Sequence, residues 1–264
     1  MTRLLGLDIS LWQDDNSTAQ MMDFVKAKHA GANFVFIKAS ERGGVDPDFT
    51  MNWKNAKTAG LPRGAYHFLR WDLSGLMQAR IFCAYLKDDP GELPPVADFE
   101  APAKNGINPS NAILSEFLEA VESETGKTPM IYTSPGFWNS WGKNKAGSFD
   151  AKWAYYPLWI AHYTSAQNPM AIEPWKSAGK TWTFWQYGVK ETGFQFGAES
   201  KLLDMDYFNG DIIDFQKLLG EDVLDPDEQD EPDTSDPNHE VRIARLEGEL
   251  TVLKEWARGI GYKG

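Results

Sequence analysis

Residues 96–100 read Val-Ala-Asp-Phe-Glu and follow two prolines, Pro94 and Pro95. Successive strand residues alternate faces, so Asp98 and Glu100 point one way and Phe99 the other. On a solvated face two acids are ordinary. On a buried face they are costly unless paired, hydrogen-bonded or protonated. Three more acids sit in apolar, strand-like runs: Asp8 in "LLGLDIS", and Asp204 and Asp206 in "LLDMDYF". Like charges brought close together raise at least one pKa. A carboxyl that stays protonated near neutral pH can serve as a general acid, and a glycosidic oxygen is a leaving group that requires one.

Some set of elements must bring these segments together. Residues 1–220 alternate β-rich runs with helical periods. Strands are expected at 4–10, 33–40, 63–70, 94–100, 129–134, 157–163, 182–188 and 202–208, and helices at 19–32, 49–60, 75–88, 108–126 and about 210–219. Little helix lies between the last three strands. This pattern predicts an α/β fold, a modified TIM-like (β/α) barrel of parallel strands with about five β/α units plus three further strands. A doubly wound open sheet is the competing architecture. A nucleotide-binding sheet would need a glycine-rich phosphate turn, and no GxGxxG or P-loop follows any expected strand.

In such a barrel the site lies at the C-terminal ends of the strands. Asp8, Asp98, Glu100 and Asp204 are the candidate catalytic carboxyls. The first and last strands are neighbours in a closed barrel, so Asp8 and Asp204 should be close. Ser10, Lys38, Ser40 and Glu41 also fall near strand ends. Candidate substrate-binding residues are Tyr66, His67, Tyr132, Trp159, Trp185, Gln186 and Asp206. The four aromatics could line a sugar groove or belong to the core, where strand aromatics usually sit. His67 reads either as a polar rim contact or as a core histidine. Phe99 should pack outward against the helices. Ser134 reads as a helix N-cap, and no GxSxG elbow exists. With no HExxH and no close histidine pair, no metal and no other cofactor is expected. Cys83 is the only cysteine and lies in an apolar helical pattern, which predicts a buried thiol and excludes an intrachain disulfide.

Composition narrows the partners. The net charge is −12, but residues 221–240 hold ten acids and no Lys or Arg, and residues 241–264 hold five basic and three acidic residues, which leaves −4 for residues 1–220. No basic stripe appears, so nucleic acid is not expected as a partner. No apolar run is long enough to insert in a membrane, and the N-terminus lacks a signal-peptide pattern, so synthesis in a cytoplasm with assisted release is expected. Residues 1–220 read as the barrel and 221–240 as a flexible acidic linker. Residues 241–264 read as an amphipathic helix. There Ile243, Leu246, Leu250, Leu253, Ala257 and Ile260 follow a 3,4 spacing. That is the seam of a short coiled coil, making a homo-oligomer (trimer or dimer) a candidate, with a single helix docked on the barrel as the alternative.

"GLDISLWQ" (6–13), "FVFIKASE" (34–41), "GAYHFLR" (64–70), "VADFE" (96–100), "PMIYTSPGFW" (129–138), "PLWIAHY" (157–163), "WTFWQYG" (182–188) and "LLDMDYF" (202–208) resemble, in order, the motifs of glycoside hydrolase family 25. These are the Chalaropsis-type muramidases, common among phage endolysins and bacterial autolysins. The resemblance covers about residues 4–210. It implies hydrolysis of the β-1,4 bond from N-acetylmuramic acid to N-acetylglucosamine in peptidoglycan, at the bacterial cell wall, by a chain of the phage-encoded kind with holin-type or other assisted release. It implies Glu100 as general acid/base and Asp98 as the group that orients the substrate's 2-acetamido function, whose oxygen would attack the anomeric carbon with retention. Asp8 and Asp204 would support them. Family members often carry Asn where this chain has Asp206. A wall-binding barrel of weak activity, or a structural component of a phage particle, is the alternative function.

Overall fold

The computed structural model describes residues 3–13 and 21–221. Its elements run β1 (Leu5–Ile9), α1 (Phe24–His29), β2 (Ala32–Glu41), the two-residue β3 (Gly44–Val45), α2 (Phe49–Thr58), β4 (Arg63–Phe68), α3 (Gly75–Leu86), β5 (Val96–Asp98), α4 (Asn111–Thr125), β6 (Met130–Thr133), α5 (Pro135–Trp141), β7 (Leu158–Ala161), β8 (Phe184–Lys190), β9 (Leu203–Phe208) and α6 (Ile212–Leu219). Eight strands close in the order β1-β9-β8-β7-β6-β5-β4-β2, with β1 pairing β2, while β3 adds a short hairpin to β2. A helix follows each of the first five barrel strands, and three further strands complete the wall. This is the modified (β/α) barrel expected from the sequence.

One strand departs from the parallel expectation. β9 is antiparallel to both β8 and β1. The connection at 191–202 contains no helix, and a parallel return needs a crossover of about a dozen or more residues, usually helical. The chain therefore turns straight back. As a result β9 begins, rather than ends, at the rim where the parallel strands finish.

Local chemistry sets the helix ends. Ser74, Ser110 and Ser134 each accept a hydrogen bond from the backbone N–H three residues on, at 3.3, 3.4 and 3.3 Å. Each thereby satisfies one of the free donors at a helix start. Asp23 does the same for Lys26 at 2.9 Å, which starts α1 at Phe24 instead of near residue 19.

Strand parity sorts the core into two layers. Phe34, Phe36, Val96, Met130, Trp159, Phe184 and Phe208 fill the barrel interior. Leu7, Ile9, Val35, Ile37, Ala65, Ala97, Ile131 and Ile160 belong to the layer between strands and helices. The interior rings pack closely, with Phe36 stacked on Trp159 at 4.3 Å and edge-on to Phe184 at 5.0 Å. Two inward positions must lack a side chain. A Cβ on Gly6 would lie 2.1 Å from the Phe34 ring, and one on Gly64 would lie 2.3 Å from the Phe36 ring. The aromatic plug fills the barrel beneath the rim.

The acidic linker, the amphipathic helix and the oligomer expected through residues 241–264 concern residues 222–264, outside the described residues. Among the described residues, no helix is long and apolar enough to cross a membrane.

Candidate active site

A cavity of about 320 Å³ opens at the C-terminal rim of the barrel. Asp8, Asp98, Glu100 and Asp204 line it, with Tyr66, Tyr132, Trp159 and Gln186. β5 contributes Asp98 as its last residue and Glu100 just beyond, both inward, while Phe99 turns out against Trp71, Phe137 and Trp138. β1 contributes Asp8, and β9 places Asp204 directly opposite it in register.

Gln186 organises the floor. Its Nε2 donates to Asp8 Oδ2 at 2.9 Å, and its Oε1 accepts from the hydroxyls of Tyr132 at 3.0 Å and Tyr163 at 2.8 Å. This fixes which end of the amide faces the carboxylate. Lys38 is the one cation lining the cavity among the described residues. Its Nζ bonds Glu41 Oε2 at 2.7 Å.

Burial and crowding hold the acids toward their protonated forms. Burial first, and then the charge of Glu100, push Asp98 well above its ordinary value; Lys38 opposes them. Glu100 is raised by burial and by the charge of Asp204, against a Tyr132 hydrogen bond and Lys38. Burial raises Asp204 to about 6, with a Tyr163 hydrogen bond opposing. Asp8 is raised well above its ordinary value by burial and by the charges of Asp204 and Asp206. Asp98 Oδ1 is buried with no hydrogen-bond partner, so it is an acceptor facing a polar cavity. A rim that combines a protonated carboxyl, a second buried carboxyl beside it and an aromatic floor can donate a proton to a bound sugar's leaving oxygen.

The model of glycosyl hydrolases family 25 matches residues 7–193. The chain belongs to glycosyl hydrolase family 25. Lysozyme M1 of Streptomyces globisporus is 32% identical over 222 residues, covering 78% of this chain and 67% of that protein. The N,O-diacetylmuramidase of Chalaropsis sp is 28% identical, covering 81% of this chain and 97% of that protein. The crystal structure of the bacterial lysozyme from Streptomyces coelicolor superposes with a TM-score of 0.65 at 29% identity, covering 83% of this chain and 97% of that one. As a family 25 member the protein is a glycoside hydrolase.

Three candidates for substrate binding in this family 25 chain lie away from the cavity. His67 is fully buried in the helix layer, stacked on Phe117 at 5.1 Å, with Nδ1 at 2.8 Å from Ser40 Oγ and Nε2 at 3.1 Å from Gln78 Oε1. Burial lowers its pKa to about 4, so it is a neutral core histidine. Trp185 also faces outward, its Nε1 donating to His162 O at 2.8 Å beside Trp182 and Tyr207. In both cases the adjacent residue, Tyr66 or Gln186, takes the inward position, and pleating forbids both. Asp206 does point inward, but it is fully buried beneath the floor, where Trp159 Nε1 donates to its Oδ1 at 2.7 Å.

Trp12, Gln13, Phe68 and Tyr163 line the cavity but escaped the sequence reading. Trp12, 73% exposed, follows β1 in "DISLWQ", and Tyr163, 58% exposed, ends "LWIAHY". An aromatic just past a strand end was the available signal.

Proposed function

We propose that this family 25 hydrolase is an N-acetylmuramidase that cuts the β-1,4 bond between N-acetylmuramic acid and N-acetylglucosamine in bacterial peptidoglycan. The observation that carries the reading is the pair Asp98 and Glu100, on one face of one strand end, in one cavity, with Asp98 Oδ1 buried and unpartnered. The names of its relatives, lysozyme and N,O-diacetylmuramidase, support the substrate.

In this reading protonated Glu100 gives its proton to the glycosidic oxygen as the bond from that oxygen to the anomeric carbon breaks. The acetamido oxygen of the same sugar attacks the anomeric carbon, and Asp98 Oδ1 accepts the acetamido N–H. Glu100, now a carboxylate, takes a proton from water, which opens the cyclic intermediate and restores the acid. Two displacements at one carbon give net retention. The charge of Asp204 favours the protonated form of Glu100, and Asp8 and Asp204 shape the floor. Trp12 and Tyr163 offer exposed faces for sugar rings. The cell wall is then the place of action.

Mass spectrometry of digested peptidoglycan tests this. Reducing muramic acid ends are expected. Reducing glucosamine ends or freed peptides would refute it. Nuclear magnetic resonance of the first-formed product should show the β anomer, and an α anomer would exclude acetamido assistance.

A further inference from the structure

A second cavity, of about 280 Å³, opens on the same rim beside the catalytic one. Glu41 stands between them. Its carboxylate takes Lys38 Nζ at 2.7 Å from the catalytic side and Arg70 Nη2 at 2.6 Å from the other. Lys38 and Arg70 also lie over the Phe68 ring, at 5.0 and 4.6 Å. The wall between the two cavities is thus a braced partition, one carboxylate held between two cations.

The two cavities differ in charge. Four carboxyls and one lysine line the first. Arg42, Arg70 and Lys104, against Glu41 and Asp72, line the second. Arg70 is committed to Glu41, but the other two cations are available. Arg42 pairs only with Asp72, at 2.9 Å, with the two side chains 59% and 42% exposed; a pair so exposed is weakly held and can exchange partners. Lys104 has no ion-pair partner among the described residues and stands on the turn Asn105–Gly106, whose φ values of 53° and 76° suit an Asn-Gly hairpin. Arg42 sits at φ 53°, where Gly, Asn or Asp would be unstrained. The floor is apolar. Trp71 is buried there, its Nε1 bonded to Ala101 O at 2.8 Å and its ring edge-on to Phe99 at 5.4 Å. The pocket is therefore braced against the two residues that flank Glu100.

A pocket with an apolar floor and two available cations fits a short peptide with free carboxylates. Where muramic acid carries a peptide its lactyl carboxyl is tied up in the amide link, so the negative charge of peptidoglycan resides on that peptide; removing the peptide leaves a lactyl carboxylate in its place. The adjoining basic pocket attracts that charge, whereas Lys38 is the one cation that the catalytic cavity offers among the described residues. We propose that this cavity is a subsite for the carboxylate-bearing stem peptide of the substrate, an inference that rests on the muramidase reading.

The test compares wild type with the double variant Arg42→Asn/Lys104→Ala on soluble glycan that bears stem peptides and on the same glycan stripped by an amidase. Asn is chosen because it tolerates the left-handed backbone. Losing two charge-assisted contacts should raise KM for the peptide-bearing glycan about tenfold more than for the stripped glycan. Equal changes on both substrates, or none on either, overturn the proposal. Cleavage of stripped glycan by wild type tests the muramidase reading alone. Calorimetry with the free stem peptide decides the pocket without catalysis: binding by wild type and its loss in the variant support the subsite, and no binding by wild type overturns it.

Discussion

Asp8 and Asp204 are direct cross-strand partners, on β1 and the antiparallel β9. Two like charges so placed destabilise a sheet. Here they sit among two further buried acids, Asp98 and Asp206. Burial raises the pKa of all four, which favours protonated forms that relieve the repulsion, and the proposed acid catalysis draws on that same property.

Glu100→Gln should fold as wild type, because the amide is of the same shape and its oxygen can still accept from the Tyr132 hydroxyl. Lysis of purified cell walls should fall about 10²- to 10⁴-fold, the usual contribution of a general acid. Unchanged far-ultraviolet circular dichroism with near-normal turnover would remove Glu100 from the mechanism.

Asp204→Asn should move the pH profile. The Asp204 charge adds to burial in raising Glu100. In the proposed mechanism Glu100 must be protonated to act, so its pKa would set the alkaline limb of kcat/KM. Without the Asp204 charge that pKa falls and the limb shifts to lower pH. An unmoved limb would separate Asp204 from the acid.

Asp206→Asn should flatten the pH dependence of stability. Among the described residues Asp206 Oδ2 is buried with no hydrogen-bond partner, and the neighbouring acids Asp8 and Asp204 affect its titration. Burial raises Asp206 from 3.8 to about 7, while the Asp8 and Trp159 hydrogen bonds oppose it. The folded state therefore binds more protons than the unfolded one, and stability falls as pH rises from about 4 to about 7. Denaturant titrations across that range should show a shallower decline in the variant. Parallel declines would mean that Asp206 is not the titrating group.

Gly64→Ala should destabilise by about 1–3 kcal/mol through overpacking, since its Cβ would meet the Phe36 ring at 2.3 Å. The measurement is the urea midpoint. A midpoint equal to wild type would mean that the aromatic plug has room to shift.

Local rules made much of this protein legible from its sequence. Period-2 alternation put Asp98 and Glu100 on one face and Phe99 on the other, Ser134 read as an N-cap, and the element rhythm named the barrel. The same alternation could have shown that Tyr66 and His67, or Trp185 and Gln186, cannot share the inner face. Tertiary structure alone decided which face was inside, because closure of eight strands depends on long-range pairing. It also turned β9 antiparallel, which brought Asp204 to the rim from the start of its strand. An irregularity in β2 between Lys38 and Ser40 sent Lys38 into the cavity and Ser40 outward to His67. Burial depth was beyond the sequence as well: Asp206 lies under the floor because Trp159, from another strand, closes over it. Sequence spacing sets which way a side chain points, but what it meets there depends on strands far away in the chain.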